Sequence, residues 1–373
     1  MLFLPIQIYE NMLTSIEIQN FRTFQKLNVN GFKAVNLFGG TNNSGKTALL
    51  EALFLSIFPG SSSIFLVRNI RGEDDKVLKG NGKRVWNYLF FNQNKANGII
   101  INSSFNDDSQ SHIKIFLSEN VQEILNSISN NKTENFYEFL KSKFSETEVL
   151  HVIGKQRNAN FDFFLVPDTE EGKIGIVGNV LKGFDSAPFL PSQFRLDDKE
   201  LASLYSNSKE NKKLNYLNDI LKLIDERIVG TEIDAPGGKP VIQINLNNDQ
   251  SFPISLFGDA VRKVTEIILV LLNSSNKVIF IDEIENGIHF TKHKFLWKIL
   301  FEISKSMDCQ IFATSHSAEM ISSFNQVAIE EKFEDRASYF EMSRLPDGVV
   351  IASRMDTEML NYEILTNSSY RGE

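Results

Sequence analysis

Gly40-Thr-Asn-Asn-Ser-Gly-Lys-Thr47 reads G-x-x-x-x-G-K-T, and its surroundings decide the fold class. Ahead of it lies the apolar run Ala34-Val-Asn-Leu-Phe38, and after it comes Ala48-Leu-Leu-Glu-Ala-Leu-Phe54, which has the character of a buried helix. A strand feeding a glycine loop that opens a helix is the context in which this pattern holds a polyphosphate. Glycines let backbone N–H groups wrap the phosphates, and the helix N-terminus adds a partial positive charge. The nucleotide-binding residues expected are Gly40, Asn42, Asn43, Ser44, Gly45, Lys46 and Thr47. Lys46 would reach the β- and γ-phosphates, and the Thr47 hydroxyl would sit on Mg²⁺. The alternative is a Gly/Asn-rich surface turn, which would not require both flanks to fit.

The 373 residues can hold one large α/β domain with an insertion, or two domains. A hydrophobic fraction of 42% with 31 Phe supports a sizeable core, and the net charge of −8 gives no electrostatic signal for nucleic acid. A nucleic-acid surface would have to be a local basic patch on an acidic body. The single cysteine, Cys309, excludes an internal disulfide framework and reads as a small core residue. No apolar run reaches the length of a membrane span, and Met1-Leu-Phe-Leu-Pro5 lacks the basic region and cleavage site of a signal peptide, so a cytoplasmic location is expected and no membrane partner. Met12 is a plausible original start, which makes residues 1–11 an N-terminal extension.

Strands are expected over Thr14–Phe21 and Phe24–Asn30, and loops over Gly60–Lys83. Gly98–Asn102 and His112–Leu117 read as an antiparallel pair. Helical spacing follows over Val121–Phe144, with a turn at Asn130–Glu134. Val149–Ile153, Phe161–Val166 and Lys173–Val177 read as further strands, which makes residues 100–190 an inserted α+β subregion. The parts of the chain on either side of it are then 12–99 and 191–373. Helices are expected over Leu196–Tyr205 and Leu214–Ile228, a strand over Val241–Leu246 and a helix over Val264–Leu272.

Lys277-Val-Ile-Phe-Ile-Asp-Glu283 is a short apolar strand ending in two carboxylates. Such a strand delivers its last residues to the edge of a parallel sheet where α/β ligand sites lie. Asp282 would hold Mg²⁺, and Glu283 would orient or deprotonate the attacking water, the two roles phosphoryl transfer requires. Gln310-Ile-Phe-Ala-Thr-Ser-His316 repeats the pattern. His316 either hydrogen-bonds the γ-phosphate or water, or is simply a histidine near a helix N-cap. His289 and His293 have i, i+4 spacing but no accompanying protease glutamate, and read as a solvated helix face. Ser255 and Gly258 stand just before an apolar helix and form either a second anion site or an ordinary cap made by Asp259 or Ser255.

The order of these motifs resembles the heads of RecF, SMC and OLD-type ATPases. Ser15-Ile-Glu-Ile-Gln-Asn-Phe-Arg-Thr-Phe24 is similar to their opening strand. Gly40–Thr47, Ser255–Asp259, Asp282–Glu283 and His316 match, in order, their Walker A, signature, Walker B and switch-histidine elements. Ile281–His289 and Phe312–Ser317 look especially like OLD-like ABC ATPases, a group common in bacterial defence. The resemblance implies an α/β P-loop NTPase of ABC-ATPase type, with a mixed central sheet, flanking helices and ATP with Mg²⁺ as cofactors. It would make 12–99 and 191–373 the N- and C-terminal parts of one ATPase head. It implies catalytic roles for Glu283 and His316. It also implies a homodimer or higher oligomer in which Ser255 and Gly258 of a second subunit close over the γ-phosphate. Here Ser-Leu-Phe-Gly-Asp replaces the compact Ser-Gly-Gly of transporters and SMC proteins. Gln93 is a candidate for the glutamine that links such sites to neighbouring domains, or a loop residue without a role. No heptad run supports a long coiled coil, and the stretch after His316, with Leu345–Val349 as a hairpin turn, leaves no room for a TOPRIM nuclease. The expected output is therefore a sensor or scaffold for a separately encoded effector, a nuclease or toxin. The alternative is a RecF-like repair ATPase that clamps DNA.

Overall fold

The described residues fall into two compact units, the first within 12–31, 43–181 and 343–352 and the second within 32–42, 188–342 and 353–366. The structure, a computed structural model, describes residues 12–73, 83–118, 147–181, 188–192, 195–274 and 277–366. The expected extension 1–11 and the expected helices over Val121–Phe144 lie outside the described residues.

The first unit is built on a seven-stranded antiparallel sheet in the order β2-β1-β4-β5-β6-β7-β8. Its strands are β1 (Leu13–Phe21), β2 (Phe24–Asn30), β4 (Ile99–Phe105), β5 (Gln110–Ser118), β6 (Val149–Gln156), β7 (Ala159–Asp168) and β8 (Lys173–Asn179). In β4, Ile99, Ile101, Ser103 and Phe105 are buried and the residues between them are not, the period-two pattern of a sheet with one covered face. Helix α1 (Lys46–Ile57) lies against β1, β4 and β5. All of its residues but Thr47 are buried, and its buried carboxylate, Glu51, is paired with Arg22 and Arg71. The expected boundary at residue 100 does not separate sheets: β4 pairs with β1 through Ile18 opposite Ile101, so the inserted strands continue the N-terminal ones. The loop expected over Gly60–Lys83 contains helix α2 (Ser61–Asn69), capped by extended Gly60 and anchored by buried Ile64 and Val67.

The second unit carries a six-stranded sheet in the order β16-β15-β3-β14-β13-β9. These strands are β3 (Val35–Gly39), β9 (Phe189–Leu190), β13 (Val278–Ile281), β14 (Gln310–Thr314), β15 (Ala337–Arg344) and β16 (Val350–Met355). From β15 to β9 the neighbours run parallel. Strands buried on both faces read as continuous apolar runs, which is why β3, β13 and β14 were legible. One face stacks phenylalanines across strands: Phe38 on Phe312 (6.4 Å between centroids), Phe312 on Phe280 (5.4 Å) and Phe280 on Phe189 (5.9 Å). The other face, with Leu37, Ile279, Ile281, Ile311 and Ala313, joins the core formed with the helices. Those helices are α3 (Asp198–Glu210), α4 (Leu214–Ile224), α5 (Asp259–Asn273), α6 (His293–Ser306), α7 (Ala318–Glu330) and α8 (Thr357–Leu365).

A small antiparallel sheet, β10 (Ile228–Asp234), β11 (Val241–Leu246) and β12 (Ser251–Pro253), precedes α5. Ile228, expected at the end of a helix, begins β10 instead. Helix α4 stops at Ile224, and the Asp225–Arg227 turn, tied by Arg227 Nη2 to Asp225 Oδ2 at 2.7 Å, redirects the chain. Among the described residues no helix is long and apolar enough to cross a membrane.

Candidate functional site

Strand β3 ends at Gly39, and the loop after it departs from right-handed backbone at Gly40 (φ 129°), Asn43 (φ 64°) and Gly45 (φ 97°). Left-handed residues in a short glycine loop allow successive N–H groups to converge on an anion. Gly45 caps α1, and no side chain closes that helix end. Only glycine suits the position. Its φ is strained for any L side chain, and a Cβ there would come within 2.9 Å of the Phe24 ring and 3.0 Å of the Thr23 methyl. Lys46 opens α1, is buried, and donates from Nζ to Ser44 Oγ at 3.4 Å. Arg344 braces the loop by donating to the Thr23 hydroxyl and, at 3.3 Å, to the Asn43 carbonyl. Anion-cradling backbone, an ammonium and a hydroxyl at Thr47 are the donor set that a nucleoside triphosphate with Mg²⁺ requires.

The second half of the expected site lies at the C-terminal edge of the parallel sheet, where β13 and β14 are neighbours. β14 in turn pairs with β3, so the phosphate loop leaves the same edge. Asp282, nearly buried, directly follows β13. Thr314, at the end of β14, clamps the acid pair with one hydroxyl. Its Oγ1 donates to Asp282 Oδ1 at 2.7 Å and accepts from the Glu283 N–H at 2.8 Å. Glu283 itself has φ 47°, a conformation that costs a non-glycine residue about 1–2 kcal/mol. Such strain persists where surrounding bonds over-determine it, and it concentrates at functional sites. Here the surrounding bonds are identifiable. The Ile284 N–H donates to the Thr314 carbonyl at 3.0 Å, and Asn286 Nδ2 donates to Glu283 Oε2 at 2.8 Å and to the Ser192 carbonyl at 3.1 Å.

His316 is half-exposed and is held by Glu285. Its backbone N–H donates to Glu285 Oε1 at 2.8 Å, and its Nδ1 lies 3.1 Å from the same oxygen. With Nδ1 facing a carboxylate, Nε2 is the ring nitrogen left to meet a ligand. The structure thus brings Asp282, Glu283 and His316 together and adds Thr314, Glu285 and Asn286, whose roles sequence spacing did not reveal. An Asp-Glu-x-Glu pattern was readable as carboxylates, but the partner of Glu285 lies on another strand end.

Ser255 and Gly258 occupy the exposed turn before α5. Neither of the expected caps forms: Gly258 (φ 84°) is the N-cap, no side chain closes it, and Asp259 instead lies 3.4 Å from Arg195. Gln93 ends a short 3₁₀ turn, is exposed, and accepts from Asn87 Nδ2 at 3.1 Å. The pair expected on one solvated helix face divides. His289 is exposed ahead of α6, whereas His293 begins that helix, is buried, and has Nε2 3.2 Å from the Ile288 carbonyl. Cys309 is buried in the core, as its apolar setting implied.

Beside Asp282 opens a cavity of about 230 Å³, lined among others by Ser192, Arg195, Arg262, Lys263, Glu266 and Asn286. Burial pushes the Glu266 carboxyl up against the opposing effect of Arg262, whose Nε lies 3.1 Å from Glu266 Oε1. Burial likewise pushes Lys263 down to about 8, with Glu285 and Glu266 acting in the opposite sense.

Residues 35–322 match the protein family described as "AAA domain, putative AbiEii toxin, Type IV TA system". Among curated proteins, an ATP/GTP phosphatase of Helicobacter pylori is 26% identical over 383 aligned positions, covering 94% of this chain and 97% of the relative. The DNA replication and repair protein RecF of Agathobacter rectalis is 31% identical over 99 residues, 24% of this chain and 27% of that protein. Among solved structures, the SMC head domain from Thermotoga maritima covers 92% of this chain and 99% of its own at 12% identity, with a TM-score of 0.44.

Proposed function

The chain belongs to the AAA-domain ATPase family just described, and from that premise we propose that it is a nucleotide-driven switch that binds ATP–Mg²⁺ and hydrolyses it slowly. The observation that carries this reading is the clamped acid turn: Glu283 is held in a left-handed conformation by Thr314 and Asn286 at the edge the phosphate loop leaves. Bound ATP–Mg²⁺ supplies the transferable phosphoryl group and its counter-charge. Lys46 and the backbone of Gly40–Gly45 hold the phosphates. Thr47 and Asp282 offer the hard oxygen ligands that suit Mg²⁺. Glu283 orients the attacking water and accepts its proton, and His316 steadies the γ-phosphate or that water from Nε2.

The switch reading continues at Ser255 and Gly258. Both stand on an exposed turn beside Leu256, which is 71% exposed, as a surface for a second copy requires. In this reading two copies close over ATP and part after hydrolysis, and the output passes to a separately encoded nuclease or toxin in a cytoplasmic anti-phage system. The family description names a toxin of a toxin–antitoxin system, a setting in which a second chain takes part. The relative in Helicobacter pylori, named for acting on ATP and GTP, favours turnover over mere binding. Local similarity to RecF supports a second reading, in which the ATP-bound dimer clamps DNA.

Mass measurement of Glu283→Gln with ATP–Mg²⁺ tests the switch. A dimer that returns to monomer when ATP is removed is expected; a mass indifferent to ATP refutes it. DNA binding that requires ATP and weakens steeply with salt would favour the second reading.

A further inference from the structure

Lys263 lies one turn into α5, the helix that begins at the Gly258 turn. Its Nζ donates to the Ile284 carbonyl at 2.9 Å and to the Asn286 carbonyl at 3.2 Å. These two carbonyls flank Glu285, which holds His316, and the second belongs to the residue whose side chain holds the Glu283 carboxylate. One ammonium therefore grips the segment that aims both expected catalytic side chains. Charge on this lysine is kept by Glu285 from the acid turn and Glu266 from its own helix, against the cost of burial; Arg262 is its cationic neighbour, and Asp259, Arg195 and Asp282 line the same cavity. An apolar side chain of similar length would leave two turn carbonyls without their donor and free the turn to relax from its strained backbone.

We propose that Lys263 is a positioning residue: it fastens α5 to the Ile284–Asn286 turn, so that the placement of the Gly258 turn and the aim of Glu283 and His316 are set together. The inference rests on the ATPase reading of Glu283.

The test uses the full chain and compares Lys263→Met, Lys263→Arg, Asn286→Ala, the Lys263→Met/Asn286→Ala double variant and Glu283→Gln. Steady-state hydrolysis and equilibrium binding of a fluorescent ATP analogue are measured for each. Lys263→Met is expected to lower kcat by roughly 10²-fold, the effect of a small misplacement of a catalytic group, while KM and nucleotide affinity stay within about threefold. Lys263→Arg, which keeps charged donors, is expected to recover most of that loss. The double variant should be no worse than about the poorer single one, because both act through Glu283. Wild-type kcat in Lys263→Met beside an inactive Glu283→Gln overturns the inference and leaves the ATPase reading standing. Turnover by Glu283→Gln at the wild-type rate overturns that reading itself. If Lys263→Met does not fold, the comparison of Lys263→Arg with Asn286→Ala decides: equal losses in KM and kcat for Lys263→Arg, with Asn286→Ala unaffected, refute a positioning role.

Discussion

Replacing Thr314 by Val removes one hydroxyl and almost no volume, so it isolates the clamp on the acid pair. The hydroxyl makes two bonds, donating at 2.7 Å to the Asp282 carboxylate and accepting at 2.8 Å from the Glu283 N–H. A hydrogen bond to a charged group contributes about 1.5–3 kcal/mol, and a buried N–H left unpaired costs about 1–3 kcal/mol. Glu283 is only partly buried, so water recovers some of the second amount. A net local loss of about 2–4 kcal/mol follows. Hydrogen exchange read on a peptide spanning residues 278–288 reports this directly: that free energy corresponds to roughly 30- to 10³-fold faster exchange at the acid turn. Freed of its tether, Glu283 can leave φ 47°, so kcat should fall by at least about tenfold with nucleotide binding retained. Thr314→Ser keeps the hydroxyl and should stay close to wild type in both assays. Unchanged exchange and turnover in Thr314→Val would refute the clamp, however well the variant folded.

Gly45→Ala should lower stability by about 1–2 kcal/mol through its positive φ alone, and the contact with the Phe24 ring should distort the loop and weaken nucleotide affinity at least about tenfold. Thermal unfolding and a nucleotide titration check both, and wild-type values in both would contradict the cradle. Burial, aided by Asp308, pushes the Cys309 thiol up to about 12, so its thiolate fraction at pH 8 is on the order of 10⁻⁴. Iodoacetamide should therefore label the native chain negligibly and the unfolded chain quickly; rapid native labelling would contradict the burial of Cys309 in the core beside Ile303 and Ser304. The same shift has a sign for stability. The folded thiol holds its proton more tightly than the unfolded one, so its contribution is full below the unfolded value near 9 and is lost as pH climbs towards 12. Denaturant midpoints for wild type and Cys309→Ala should differ most below the unfolded value near 9 and draw together as pH climbs towards 12.

Much of the fold was legible because local pattern and tertiary role agree. The apolar runs at β3, β13 and β14 end in polar residues because parallel strands are covered on both faces and open only at their ends. Legibility failed where short-range chemistry overrode composition. Ser61–Asn69 begins with three serines and reads as loop, yet Ile64 and Val67 give it a buried stripe. Ile228 continues the spacing of α4, but the Asp225–Arg227 turn ends the helix first. Strand pairing joins β1 to β4 across the expected division at residue 100, and no periodicity records that pairing. The site behaves likewise. Lys46, Asp282, Glu283 and His316 stand in contiguous motifs, whereas Thr314, Glu285 and Lys263 take their roles from bonds that cross 21 to 32 positions of the chain.

The central claim is that one chain carries both the grip on ATP and the means of hydrolysing it. Phosphate release from radiolabelled ATP–Mg²⁺, measured on wild type, Lys46→Ala and Glu283→Gln with bound nucleotide counted in the same samples, tests it most directly. Lys46→Ala should hold almost no nucleotide, and Glu283→Gln should hold as much as wild type while releasing phosphate at least about 10²-fold more slowly. Undiminished release from Glu283→Gln, or full binding by Lys46→Ala, would contradict it.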